Sequence, residues 1–415
     1  MDKNNPLKQN LLSKTNIAIV LALGMLVGFL LERAWLSFFV FAFGVNSLWN
    51  VHPKRWFKEK FWMVGFAWVT MYAISYLWSD DKFAWEHHYT VKAPVLLLPL
   101  AFALLPAFTV KQLRVFTLWA SAIMLVGVAY SLQFFIRDPA YYTEQYVYSH
   151  VLPTPAECDH IRFSLSVVLF TIWAIYAWPM LNARWQRWFM GFAVLVFSIY
   201  LHILAARTGL ALWYLFVLCW IIRYAIRKKA AVGFGMLAGL VLATLLAINY
   251  IPTLEKRVWY IKETIQRYNR GEVNSDYSDM GRLISYRIAG AKIAQHPILG
   301  VGSGDMYTEM IDGYKTMYPD VPEEYRLLPH NQFFIVMLAA GVVALALFLL
   351  WVLMPLAWLK DTGRTFYMFM IWFSLVLTLL IEPVFEVQFG VFVYLFFLLW
   401  QKHALRTQEN RLTND

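Results

Sequence analysis

The sequence predicts an all-α integral membrane protein of about twelve transmembrane helices, with one connection enlarged into a loop that contains helices of its own. Three observations carry that prediction. Hydrophobic residues make up 60% of the chain and charged residues only 15%, a balance outside the soluble range. Apolar runs of spanning length recur between residues 17 and 401, and each is long enough to cross a bilayer core. A single long interval, 251–329, interrupts the alternation. Residues 1–415 are therefore read as one polytopic membrane domain, with 251–329 inserted between the ninth and tenth spans, and length alone does not count soluble domains here.

In chain order the candidate spans are 17–31, 35–51, 61–78, 91–108, 113–136, 161–181, 187–206, 208–226, 231–250, 331–358, 366–381 and 384–401. The first follows Lys3, Lys8 and Lys14 and lacks a small-x-small cleavage site, so it is read as a retained helix and not a removed signal peptide. Trp188 to Ile222 is 35 residues of nearly unbroken apolar sequence, well beyond the roughly 20 needed for one crossing. Arg207-Thr208-Gly209 is the natural place for it to turn.

Orientation follows from basic residues in alternate short connections. Lys3, Lys8, Lys14, Lys54, Arg55, Lys58, Lys60, Lys111, Arg114, Arg184, Arg187, Arg223, Arg227, Lys228, Lys229, Lys360, Arg364, Lys402, Arg406 and Arg411 fall on one side, which is read as cytoplasmic together with both termini. The opposite short connections hold little beyond Arg33, Lys82, Lys92, Arg137, Arg162 and Arg207. Loop 251–329 then lies outside, and its own basic residues do not contradict this, because long loops escape the charge rule. The same distribution explains the net charge of +10 as topology, and no nucleic-acid partner is expected. Cys158 lies in a polar loop and Cys219 in an apolar run, so no disulfide is expected.

Within the loop, Thr253 to Gln266 reads as an interfacial helix carrying Trp259 and Tyr260 among charged residues. Gly271 to Asp279 is a polar break. A second helix is predicted from Gly281 to Gln295, with Ser278 or Asp279 as N-cap and Pro297 beyond its end.

The polar groups concentrate between Met280 and Leu338. The order is Met280-Gly-Arg282, then Arg287, then His296-Pro-Ile-Leu-Gly300-Val-Gly302-Ser-Gly304, then Leu328-Pro-His330-Asn331 opening an apolar run. With Ala206-Arg207-Thr208-Gly209 upstream, this ordered set resembles the O-antigen ligase and polymerase superfamily of bacterial membrane glycosyltransferases. The glycine run does not read as a nucleotide loop, since it follows a helix and a proline where such a loop follows a strand. It reads as a tight reversal toward the membrane.

Chemistry narrows the candidates. Arg207 beside an apolar stretch is costly unless it faces water or a partner, although a lone arginine at a helix end commonly snorkels to the headgroups. Arg282 in the first turn of its helix opposes the macrodipole, and an anion there would reverse the penalty. A diphosphate would meet free N–H groups, the positive helix end and a guanidinium fork together. Arg287 lies elsewhere on the same helix and is the next diphosphate candidate. A neutral His330 at the mouth of a membrane helix can accept a proton from a sugar hydroxyl. Asn331 orients His330 or the helix start, Arg162 supports the site from another span, and Glu382 is expected to pair with an arginine. Glu386, across Pro383 from it, resembles its acid/base partner but is likewise expected to pair with an arginine. Glu157-Cys158-Asp159-His160 and Glu86-His87-His88 lack a recognised zinc spacing, so no metal site is assigned.

The resemblance implies a membrane glycosyltransferase type C-like fold in the bacterial inner membrane, surrounded by membrane lipids and active at the periplasmic face. It implies a donor glycan on undecaprenyl diphosphate, metal-independent transfer without a cofactor, and, for a ligase, a lipid A-core acceptor. Catalysis would fall to His330, and diphosphate binding to Arg207, Arg282 and Arg287. Polymerases and protein O-oligosaccharyltransferases of the superfamily share much of the motif set. A carrier that moves an anionic lipid or solute is the reading from a different class, although it usually shows repeated halves and midplane sites.

Overall fold

The computed structural model describes residues 13–49, 51, 56–57, 60–148, 150–270, 278–359 and 365–412. Several residues of the basic set (Lys3, Lys8, Lys54, Arg55, Lys58, Lys360 and Arg364) and most of the polar break after Gly271 lie outside them. Among the described residues the chain is helical throughout and has no strand. The helices are α1 (Lys14–Leu31), α2 (Arg33–Leu48), α3 (Lys60–Ile74), α4 (Lys82–Val91), α5 (Ala93–Leu104), α6 (Val110–Arg137), α7 (Pro139–Gln145), α8 (His160–Ala177) and α9 (Arg184–Leu204). They continue as α10 (Arg207–Arg227), α11 (Ala230–Tyr250), α12 (Pro252–Asn269), α13 (Ser278–Gln295), α14 (Met306–Met317), α15 (Gln332–Leu353), α16 (Thr365–Ile381) and α17 (Gln388–Leu412).

Among the described residues seven helices are long and apolar enough to cross a membrane: α1, α6, α8, α9, α10, α11 and α15, while α2 and α16 are shorter apolar helices. The chain is a multi-pass membrane protein. Three further expected spans are present as shorter or mixed elements. α3 has 15 residues, α5 has 12 with Pro99 inside it, and α17 begins apolar and ends among charges.

The chain divides into two compact units. One comprises residues 1–18, 40–107 and 267–415; the other comprises 19–39 and 108–266. In the first, α3, α15 and α17 pack around aromatic rings. Trp68 stacks on Trp351 at 5.5 Å between ring centres, and Phe385 and Tyr394 complete the cluster at 5.6 Å each from Trp351. Such offset and edge contacts add to the gain from burial alone.

α15 is not one continuous rod. Gly341 sits at φ 73°, ψ −168°, which breaks the helix. The turn that follows His296 repairs the break: Val301 N–H donates to the Leu338 carbonyl at 2.8 Å, and Val342 N–H donates to the Pro297 carbonyl at 3.0 Å. A Cβ at Gly341 would overlap the Ile298 carbonyl, and one at Gly300 (φ 69°) would overlap that of Leu338. Irregular backbone within an apolar element is tolerated where protein groups re-satisfy it, and that is the work of the glycine run. Its far end is fixed as well, since Asp305 accepts the N–H groups of Asp80 and Asp81 at 2.8 and 2.9 Å.

In the second unit α8 is the buried centre and α11 the outermost element: 83% of the apolar stretch of α8 is buried against 6% for α11. The turn expected at Arg207-Thr208-Gly209 falls two residues earlier. Ala205 adopts a left-handed conformation (φ 44°) at the end of α9, and Arg207 is already the first residue of α10. Gly209 is needed for packing instead, because a Cβ there would meet Ser164 of α8 at 2.6 Å.

Of the two predicted loop helices, the first is observed slightly longer, as α12. The second is observed over Ser278–Gln295, from three residues before its predicted start, and the capping expected of Ser278 or Asp279 lies outside the described side chains. α13 is clamped to α14 by Lys292, whose Nζ donates to Glu309 at 2.7 Å and to Asp312 at 2.9 Å.

Candidate functional site

Six helix ends of the first unit meet where its polar side chains gather: the start of α13, the end of α4 and the start of α5, the start of α15, the end of α16 and the start of α17. Two glutamates organise this place.

Glu382 closes α16, and its side chain is only 2% exposed. Its Oε1 accepts a hydrogen bond from Arg282 Nη2 at 2.9 Å, and its Oε2 lies 3.4 Å from His330 Nδ1. Arg282 and His330 are 28% and 27% exposed, so both groups reach the surface while the carboxylate between them does not. The anion paired with Arg282 is thus a protein carboxylate. Arg282 meets Glu382 through Nη2, and its side chain keeps 28% of its surface exposed.

His330 is positioned by its neighbours. Asn331 caps α15, accepting Phe333 N–H at 2.9 Å and Phe334 N–H at 3.2 Å, while its Nδ2 donates to the Leu380 carbonyl at 3.0 Å. That links the start of α15 to the end of α16, beside Glu382. Tyr286 donates to the His330 carbonyl at 2.8 Å and stacks on Phe334 with ring centres 5.4 Å apart. Burial raises the Tyr286 phenol above its ordinary range; nearby Arg282 lowers it and Glu382 raises it. It remains a donor at neutral pH.

Arg287 points away from this group. It is exposed, and its Nη1 donates to Tyr318 Oη at 3.4 Å. One helical turn and a half separates it from Arg282, so the two guanidiniums diverge.

Glu386 anchors a second, deeper network. Lys92 Nζ donates to its Oε2 at 2.9 Å, His88 Nδ1 lies at the same distance from that oxygen, and Gln332 Nε2 donates to Oε1 at 3.0 Å. Gln332 Oε1 in turn accepts Phe385 N–H at 2.7 Å. Lys92 is fully buried over the ring of Tyr72, 4.3 Å from its centre. In the sequence it is one of a few basic residues in an outer connection, and nothing marks its burial. The signal available was the apolar run that begins immediately after it, which leaves its ammonium little access to water.

Arg207 and Arg162 belong to the second unit. Arg207 Cζ lies 5.7 Å from the centre of the Tyr260 ring, and the buried Arg257 stands 5.9 Å from the same ring and 5.2 Å from that of Tyr146. Arg257 is 5% exposed and was read only as one charge of an interfacial helix. Arg162 is 12% exposed and lies 3.5 Å from Asp159, which also caps α8 by accepting Arg162 N–H at 3.0 Å. Among the described residues no three His, Cys, Asp or Glu side chains gather at one point. Glu157 instead pairs with Arg33 at 2.9 Å.

The fold and site define a multi-pass helical membrane protein in which an arginine and a histidine flank a buried carboxylate at helix ends. Residues 192–349 match the model of the O-antigen ligase family. That stretch contains Arg207, Arg282, Arg287, the glycine run, His330 and Asn331, so the resemblance to the O-antigen ligase superfamily is borne out on the residues that first carried it. The match supports a glycosyltransferase of that superfamily, with lipid-linked glycans as substrates. No curated protein matches the chain.

Proposed function

We propose that this chain is an O-antigen ligase of the bacterial inner membrane. It transfers a polysaccharide from undecaprenyl diphosphate to a sugar hydroxyl of lipid A-core at the periplasmic face, for lipopolysaccharide biosynthesis. The observation that supports this most is the pairing of Arg282 and His330 through one buried carboxylate, Glu382.

In this mechanism the imidazole carries its proton on Nδ1, 3.4 Å from Glu382 Oε2, and presents Nε2 as the acceptor. Nε2 takes the proton of the acceptor hydroxyl as its oxygen attacks the anomeric carbon from the side opposite the diphosphate. The new glycosidic C–O bond forms as the bond to the diphosphate breaks, and the configuration inverts. Glu382 then stabilises the imidazolium, as a carboxylate behind a catalytic histidine does. Arg282 takes up the charge growing on the leaving diphosphate, work that a divalent metal performs elsewhere, and the transfer is metal-independent. Arg207 is assigned to the same diphosphate on the resemblance, and Arg162 and Asn331 support. About twelve spans with both termini cytoplasmic, and loop 251–329 outside, complete the proposed topology.

The test is the chain-length profile of undecaprenyl-linked and lipid A-linked glycans in cells carrying His330→Ala at normal protein level. Long polymer stranded on the carrier, with bare lipid A-core, is the result expected of a ligase. Single repeat units on both would make the protein a polymerase. An unchanged profile would return the reading to a carrier or a protein acceptor.

A further inference from the structure

The first unit contains a second polar site at the other end of its long helix. From Gln388 to Arg406, α17 rises roughly 27 Å at about 1.5 Å per residue, close to the thickness of a bilayer core. α17 starts beside Glu382 and Glu386, so Lys402, His403 and Arg406 stand at the opposite membrane interface.

There a cavity of about 610 Å³ opens between α17 and the end of α5. It is lined by the apolar Phe102, Leu105 and Leu399 and by the basic Lys402 and Arg406. Lys402 Nζ stands 4.0 Å above the centre of the Trp358 ring, the pairing of aromatic and basic residue found at headgroup level. Arg406 is exposed and contributes one long hydrogen bond, 3.4 Å, to the Ala103 carbonyl. His403 is buried and donates to the Pro106 carbonyl at 3.0 Å.

We propose that this cavity binds the headgroup of an anionic phospholipid, its phosphate between Lys402 and Arg406 and its acyl chains along Phe102 and Leu399. A simpler role would be to cap the free carbonyls at the end of α5, which basic side chains commonly do. Capping accounts for His403, which is buried against Pro106. It uses only one donor of Arg406, and it gives no reason for a cavity of this size lined by both basic and apolar side chains. Small-molecule sites occupy roughly 300–1,000 Å³, and a phosphate with its glycerol fits that range. Charge, volume and depth all favour a lipid over a free anion, since an apolar lining adds nothing for inorganic phosphate.

The experiment uses the purified full-length protein in a neutral detergent, with phosphatidylglycerol titrated in and binding read by native mass spectrometry and by the thermal unfolding midpoint. Phosphatidylcholine and inorganic phosphate serve as the neutral-lipid and free-anion probes. Phosphatidylglycerol is expected to bind and raise the midpoint while neither other probe does. The pair Lys402→Ala with Arg406→Ala is expected to weaken its binding by roughly thirtyfold, the effect of two basic residues at an anionic lipid surface. The charge-keeping pair Lys402→Arg with Arg406→Lys is expected to retain it, and this decides the matter if the alanine pair does not fold. Equal binding of both lipids, an equal midpoint rise with phosphate alone, or an alanine pair that loses stability yet binds phosphatidylglycerol as before would overturn the proposal.

Discussion

Glu382 and Glu386 stand four residues apart on either side of Pro383, and their side chains are nearly equally buried, 2% and 7% exposed. Their partners differ. Glu382 holds two groups that each keep more than a quarter of their surface open, Arg282 and His330, whereas Glu386 holds a fully buried Lys92 and the largely buried His88. A buried carboxylate alone therefore says little about its role. One carboxylate positions groups that can still reach a substrate; the other neutralises a cation sealed inside the fold.

The comparison breaks most sharply at Lys92. Removing one member of a buried pair leaves an uncompensated charge, at a cost of about 3–5 kcal/mol. Lys92→Ala is expected to lower the unfolding midpoint and the cellular level of the protein strongly; a variant as stable as the parent would show that Glu386 does not need its partner. The next effect is smaller and tests the repaired helix break beneath the site. Gly341→Ala forces a side chain into a left-handed conformation against the Ile298 carbonyl, at a cost of about 1–3 kcal/mol. Its unfolding midpoint is expected to drop while the glycan profile keeps its pattern.

Arg287 sharpens the contrast between arginines on one helix. Being exposed and turned toward Tyr318, it is expected to lose less than about tenfold in transfer on Arg287→Ala, against a loss of about 100-fold or more for Arg282→Ala, a group set where charge develops. Equal losses would restore Arg287 to the diphosphate.

The smallest effect concerns the α13–α14 clamp. The hydrogen bond and charge of Lys292 hold Asp312 below its ordinary 3.8. Burial lowers Lys292, but the hydrogen bonds and charges of Glu309 and Asp312 outweigh it and leave it above 10.5. A depressed carboxylate contributes stability above its ordinary value that is lost as pH falls through the lowered one. A raised lysine contributes stability below its ordinary value that is lost as pH rises through the raised one. Amide protection in α13 and α14, exchange taken relative to its intrinsic rate at each pH, is expected to be greatest between about pH 5 and 9 and weaker on either side. A flat profile would mean that the clamp contributes nothing.

The sequence carried the helical membrane class well, because spanning length and low charge are local properties, and α9, α10 and α11 fall within a few residues of their predicted bounds. It also located His330, Arg282 and Glu382, the last as a carboxylate in need of an arginine. It missed what depends on distant packing. The turn between α9 and α10 sits at Ala205, since Gly209 is committed to Ser164. Lys92 and Arg257 are indistinguishable in one dimension from surface charges, because the groups that bury them, Glu386 and Tyr146, lie far along the chain. The break at Gly341 is hidden inside an unbroken apolar run.

The central claim is that Glu382 serves transfer and Glu386 serves the fold, and the most direct measurement places Glu382→Gln beside Glu386→Gln. Both purified proteins are assayed for thermal unfolding and for glycan transfer from the undecaprenyl-linked donor. The account predicts that Glu382→Gln stays folded and loses transfer by about 100-fold or more, the scale of a misoriented general base. It predicts that Glu386→Gln is destabilised while the protein that remains folded still transfers. Full transfer by folded Glu382→Gln, or its loss in a fully stable Glu386→Gln, would contradict it.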